Sequence, residues 1–249
     1  AYTQGLDKPV RQVKGLLTAL GLEDRIKIAY DEWNLRAWYH PNIMDLYQGA
    51  SPEEYLYPRN DNDVNSQYTM ADAVFTACFL NMCIRNSDTV GMANFSPVVN
   101  TRGMIYAGPE GIALRSTYHV FDAYVNGMES VLIDSWKTGE TDRFQVEGSQ
   151  GTVTVDTLDT AATASEDGSR IAIAVVNKHP DEFRELSVIL SSQPREYRLM
   201  TVNGPSKDSF NDLTHTDVKI KEGEWKPASG RELTVSLEPH SVNILQIRM

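Results

Sequence analysis

A change of periodicity near residue 128 constrains this chain more than any other feature of its sequence. Before that point apolar residues recur at helical spacing between short apolar runs. After it they alternate with polar residues between turn sequences. A helix period and a strand period cannot share one amphipathic face. The chain therefore reads as two units, residues 1–128 and residues 129–249.

In the first unit Val10, Val13, Leu16, Leu17 and Leu20 mark a helix. Asp7-Lys8-Pro9 opens it, with Asp7 placed to cap, and Gly21 closes it. Ile26 to Tyr30 reads as a mostly buried strand, followed at once by Asp31, Glu32, Trp33 and Asn34. Residues 36–67 are polar and aromatic, and too long for a mere connector. Residues 68–85 predict a second helix with Ala71, Val74, Phe75, Cys78, Phe79 and Met82 on one face. Thr89 to Phe95 predicts another strand, and residues 102–116 a hairpin turning at Gly108-Pro109-Glu110-Gly111. Ser116 is placed to cap a last helix ending near Gly127. This order of elements predicts an α/β unit, a parallel sheet with helical crossovers.

The second unit predicts an all-β unit. Its candidate strands are residues 129–138, 151–160, 170–179, 184–190, 194–202, 216–221, 232–239 and 241–249. Short strands at this spacing, without a helix period, predict an antiparallel β-sandwich. There is no internal repeat.

Composition narrows the function. The 249 residues are 41% hydrophobic, enough for a sizeable core, and 34 Asp+Glu against 23 Lys+Arg leave a net charge of -11. Such a balance repels phosphate, so neither nucleic acid nor an anionic membrane is expected as a partner. No apolar run approaches the roughly 20 residues of a membrane span, and the first ten residues contain no apolar leader. Cys78 and Cys83, five apart on one helix, suggest neither a disulfide nor a metal knuckle. Asp61, Asp63 and Asn65 alternate like a calcium loop but lack the later Gly and Glu, so no metal is expected.

In parallel α/β folds the carboxyl ends of strands carry the chemistry. Glu32 stands at such an end, beside Trp33, whose ring could stack on a sugar, and Asn34, whose amide could bond hydroxyls. Asn94, at the end of the next strand, is a weaker candidate. The plain alternative is a solvated strand exit. His40 and His119 are isolated and read as packing or surface residues.

Taken together, IKIAYDEWN, YTMADAVFTACFLNMCIRN, MANFSPVVNTRGMIY and LEPHSVNILQIRM resemble family 51 glycoside hydrolases, the α-L-arabinofuranosidases. DEWN is the most specific piece. The resemblance implies a (β/α)8 TIM barrel followed by an antiparallel sandwich of jelly-roll type. It also implies cofactor-free hydrolysis of terminal α-L-arabinofuranosyl residues from arabinan, arabinoxylan and their oligosaccharides, with retention of configuration. It makes Glu32 the catalytic nucleophile; Trp33 and Asn34 remain the substrate-binding candidates that their residue types suggest. The family's sugar-contacting glutamine at the eighth strand has Asn94 as its nearest position here. On the alternation of a regular strand, Asp31 points away from the side that Glu32 faces.

The family's acid/base is a Glu in an Asn-Glu pair, and no Asn-Glu dipeptide occurs in this sequence. Only about two barrel strands are visible, where closure needs eight. The resemblance thus implies the C-terminal half of the enzyme, with the N-terminal barrel half as its missing partner. A homo-oligomer is also allowed, since family members often form hexamers. Two further readings stay open: a non-catalytic sandwich module that binds polysaccharide or another chain, and another retaining barrel glycosidase such as a xylosidase or glucuronidase.

Overall fold

The computed structural model describes residues 3, 5–35, 68–100, 102–139, 141–145 and 151–249. His40 and the Asp61, Asp63, Asn65 alternation lie outside the described residues. The first elements are α1 (Asp7–Ala19), β1 (Ile28–Trp33), α2 (Met70–Arg85) and β2 (Val90–Phe95), then the hairpin β3 (Ile105–Gly108) and β4 (Gly111–Leu114), and α3 (Ser116–Gly127). β1 and β2 pair in parallel, with α2 as their crossover.

Local chemistry sets the helix ends. Gly21, at φ 66°, ends α1 in the left-handed region. Its N–H bonds the Thr18 carbonyl while that of Leu22 reaches Leu17, the two bonds of a Schellman cap. Asp7 does not cap α1: Leu6 holds the cap position, and the Asp7 carboxylate instead meets Arg85 and Asn86. Thr69 and Asp72 form a capping box at α2. Ser116 is not a cap either, because Arg115 precedes α3 and the Ser116 hydroxyl bonds the Tyr68 and Thr69 carbonyls.

The remaining strands are β5 (Val131–Leu132), β6 (Thr141–Gln145), β7 (Thr152–Asp156), β8 (Leu158–Ala164), β9 (Arg170–Asn177), β10 (Arg184–Ile189), β11 (Glu196–Asn203), β12 (Lys219–Glu222), β13 (Lys226–Pro227), β14 (Glu232–Leu237) and β15 (Val242–Arg248). A seven-stranded antiparallel sheet runs β12-β11-β15-β9-β8-β5, with β13 also on β11; β10 pairs β14 and β6 pairs β7. Several details differ from the sequence-based strands: β1 runs Ile28–Trp33 and not Ile26 to Tyr30, the run 129–138 pairs only at Val131–Leu132, and β13 forms outside the candidate strands. The run 151–160 breaks at Thr157, whose buried hydroxyl bonds Asp142, and β6 forms in a polar stretch with no apolar alternation to announce it.

Alternation then decides both faces of the large sheet. Ala172, Ala174, Val176, Val242 and Ile244 pack with Val74, Ala77, Cys78, Val120 and Ala123 of the helices. Val175, Leu245 and Ile247 pack with Leu233, Val235 and Leu237 of β14. The helices are buried from two sides, because Phe79 and Met82 of α2 turn the other way, onto β1 and β2. This explains why α2 buries more than the single face expected from its sequence, adding Met70, Ala73, Thr76, Ala77 and Asn81, while Ala71 is exposed.

Arg85 ties these layers together. Its guanidinium bonds Asp7 of α1 at 2.9 Å, and Asp159 of β8 at 2.9 Å with the Thr160 carbonyl at 2.8 Å. Asn81 donates to the same Asp159 oxygen and accepts from the buried Tyr124 hydroxyl.

Candidate active site

Ile28, Tyr30 and Trp33 of β1 face the helices, together with Val90, Ala93 and Phe95 of β2. The other side of this two-stranded sheet is open: Ala29 and Asn94 are exposed, and Met92 is 44% exposed.

The pairing register explains how the carboxylates are presented. Tyr30 pairs with Ala93 but Trp33 pairs with Phe95, so Asp31 and Glu32 together stand opposite Asn94 alone. This is a β-bulge, a device that re-aims side chains near the end of a strand. It keeps Tyr30 and Trp33 on one face despite their odd spacing, and it leaves Asp31 and Glu32 both exposed. The alternation expected to separate the two acids is therefore broken. Glu32 and Asn94 are brought together at the carboxyl end of the parallel pair.

Asn34 is half-buried, and Trp33 is buried, 8% exposed. Its ring stacks on Phe79 at 4.1 Å, meets the Phe95 edge at 5.2 Å and lies 5.9 Å from Phe121. The expected stacking role gives way to packing, because burying so large a ring against three others outweighs leaving it at the surface. The Asn34 amide nitrogen donates to the Ser96 carbonyl at 3.1 Å and the Arg102 carbonyl at 2.9 Å. Both N–H bonds are thus committed to the chain, and the Asn34 oxygen is buried.

The segment that receives these bonds is itself well fixed. Arg115, 1% exposed, donates to the Gly103 carbonyl at 2.8 Å. A Cβ at Gly103 would lie 2.5 Å from the Val98 oxygen, so only glycine fits there. Next to it, burial pushes the Tyr68 hydroxyl up to about 12, so it stays protonated. Sequence reasoning missed Arg115; a cationic residue just before a helix start gives no hint of complete burial.

The other candidates take packing roles. His119 meets the Asn211 amide at 3.2 Å, and burial holds its imidazole below the ordinary range. Burial pushes the Cys78 thiol far up and the Cys83 thiol to about 11, so neither is an activated nucleophile. Among the described residues no three His, Cys, Asp or Glu side chains gather to hold a metal, and no helix is long and apolar enough to cross a membrane.

Residues 31–241 match the family model of the α-L-arabinofuranosidase C-terminal domain. The chain belongs to that family. It is 28% identical over 232 residues to a probable α-L-arabinofuranosidase C of Aspergillus niger, covering 91% of this chain and 41% of that protein. It also superimposes on an α-L-arabinofuranosidase from Thermotoga maritima in its arabinose complex. There the TM-score is 0.79 with 25% identity, over 99% of this chain and 48% of the other. A thermostable family 51 (GH51) α-L-arabinofuranosidase from Thermotoga petrophila gives a TM-score of 0.72 at 25% identity, over 97% of this chain and 49% of the other. The chain thus spans about half the length of these structures. Its fold is that of the C-terminal half of a family 51 arabinofuranosidase, the end of the (β/α)8 barrel followed by the antiparallel sandwich.

Proposed function

We propose that this chain is the nucleophile-bearing part of a retaining α-L-arabinofuranosidase, acting on terminal α-L-arabinofuranosyl residues of arabinan- or arabinoxylan-type saccharides. In this reading residues 1–128 are barrel and residues 129–249 the sandwich. One observation carries it. The bulge presents the exposed Glu32 at the carboxyl end of a parallel strand, opposite Asn94, on the open side of the β1–β2 sheet.

The chemistry follows from that placement. A Glu32 oxygen bonds to the anomeric carbon as the glycosidic C–O bond breaks, giving a covalent glycosyl-enzyme. The leaving oxygen takes its proton from a second carboxyl, which the missing barrel half supplies. Water, deprotonated by that same group, then displaces Glu32 and restores it as a carboxylate. Two displacements at one carbon return the original configuration.

Without the acid/base, leaving-group protonation is lost, a step worth about 10²–10⁴-fold. Residues 1–249 alone should therefore not turn over an aryl α-L-arabinofuranoside. With the rest of the barrel restored, a slow fluorinated arabinofuranosyl reagent should label Glu32, as read by peptide mass. Label on Asp31, or substantial turnover by this chain alone, overturns the reading.

A further inference from the structure

We infer that Asn34 is a positioning residue for Glu32 and not a contact to the sugar. This rests on the reading of Glu32 as the nucleophile. Two observations support it: where the Asn34 bonds go, and what a bulge needs to hold its shape.

A bulge residue lacks the regular ladder bonds that hold a strand, so its aim depends on what anchors the chain on either side. On the amino side the anchor is the Tyr30–Ala93 pairing. On the carboxyl side Trp33 is held among Phe79, Phe95 and Phe121, and its carbonyl accepts the Ser96 N–H at 3.1 Å. Asn34 follows directly and makes the outermost tie. Its one amide nitrogen bridges two carbonyls that are 62 and 68 residues away, Ser96 and Arg102.

Those carbonyls belong to a segment with hydrogen bonds of its own. The Gly103 N–H bonds the Asn100 carbonyl at 2.6 Å, and Asn100, at φ 58°, accepts the Ala107 N–H on its side chain at 2.7 Å. Arg115 holds the far end through Gly103. Asn34 therefore fixes the end of β1 against a segment that does not depend on it. Both its N–H bonds are used, and its oxygen, which has no partner among the described residues, is closed off from the open side of the sheet. Its effect on the reaction must pass through Glu32, two residues earlier.

The test uses the enzyme completed with the rest of its barrel and measures covalent labelling of Glu32 by the fluorinated reagent, per folded molecule. Asn34→Ala removes both bonds; Asn34→Asp keeps the shape and removes the donors; Asn34→Gln keeps a donor. The Ala and Asp variants should label roughly 10- to 100-fold more slowly, the cost of about 1 Å of misplacement. Half-saturation should change less than about threefold, as expected when ground-state binding is untouched. The pH dependence of labelling should shift, and the Gln variant should recover part of the rate.

Wild-type labelling by folded Asn34→Ala, with an unchanged pH profile, overturns the inference and leaves the nucleophile assignment standing. Label on another residue overturns both. If neither the Ala nor the Asp variant folds, Asn34 is structural and the inference is wrong.

Discussion

Replacing Arg85 with methionine should destabilise this chain strongly at neutral pH and much less in acid. Arg85 makes three bonds, to Asp7, Asp159 and the Thr160 carbonyl, all within 2.9 Å. Its side chain is 30% exposed, that of Asp159 16% and that of Asp7 27%, so the site is screened by water only in part. Breaking a fully buried pair from one side costs about 3–5 kcal/mol, because it strands the other charge. Here Asn81 and Asn86 still bond the two carboxylates and some water reaches them, which brings the expected loss to about 2–3 kcal/mol. For a chain of this size that is roughly 4–12 °C in Tm.

The acid dependence has a fixed sign. Burial alone would raise the Asp7 carboxyl, but the Arg85 bond and charge, aided by Asn86, hold it below its ordinary value. A carboxyl depressed in the folded state stabilises the protein above its unfolded pKa of about 3.9, and that contribution is lost as pH falls through the folded value. The gap between wild type and Arg85→Met should thus be full at pH 7 and shrink below about pH 4. Urea unfolding at pH 7, 5 and 3.5, followed by fluorescence and circular dichroism, measures it. A gap under about 1 kcal/mol at pH 7, the worth of an ordinary surface pair, would refute the argument. So would a gap that stays constant down to pH 3.5.

Two further outcomes follow from buried groups. Burial holds His119 below its ordinary pKa of about 6.5, so it favours folding at neutral pH, and that contribution fades as pH falls below about 6.5. Urea midpoints of the wild type should drop between pH 7 and pH 5 more than those of His119→Gln; equal drops would refute this. Trp33→Ala should cost about 3–5 kcal/mol by emptying the aromatic cluster. Trp33→Phe should cost clearly less, because the buried indole N–H has no partner among the described residues to lose. Equal midpoints for the two variants would show that the ring packing contributes little.

The sequence alone carried the parts that depend on local chemistry. Strand and helix periods are set by which residues along one segment meet the core, so the presence of β1, the Gly21 stop and the alternation in β9 and β15 are written where they act. The bounds of β1 are not: it starts at Ile28 and runs on to Trp33, leaving Ile26 exposed. DEWN could be recognised for the same reason, as a run of residue types at one strand end. Its internal arrangement could not. The bulge exists only because Asp31 and Glu32 face a single residue of another strand, Asn94, more than sixty positions away. Trp33 looked like a sugar platform until three rings from β2, α2 and α3 closed around it. Asn34 looked like a hydroxyl partner until its amide found the Ser96 and Arg102 carbonyls. Asp7 looked like a cap until Arg85 drew its carboxylate away from the backbone. In each case a reading from local residue type met a partner that only the tertiary fold delivers; for Asp7 the cap forgone is worth about 1 kcal/mol. The local pattern chose the elements, and long-range packing chose what their side chains do.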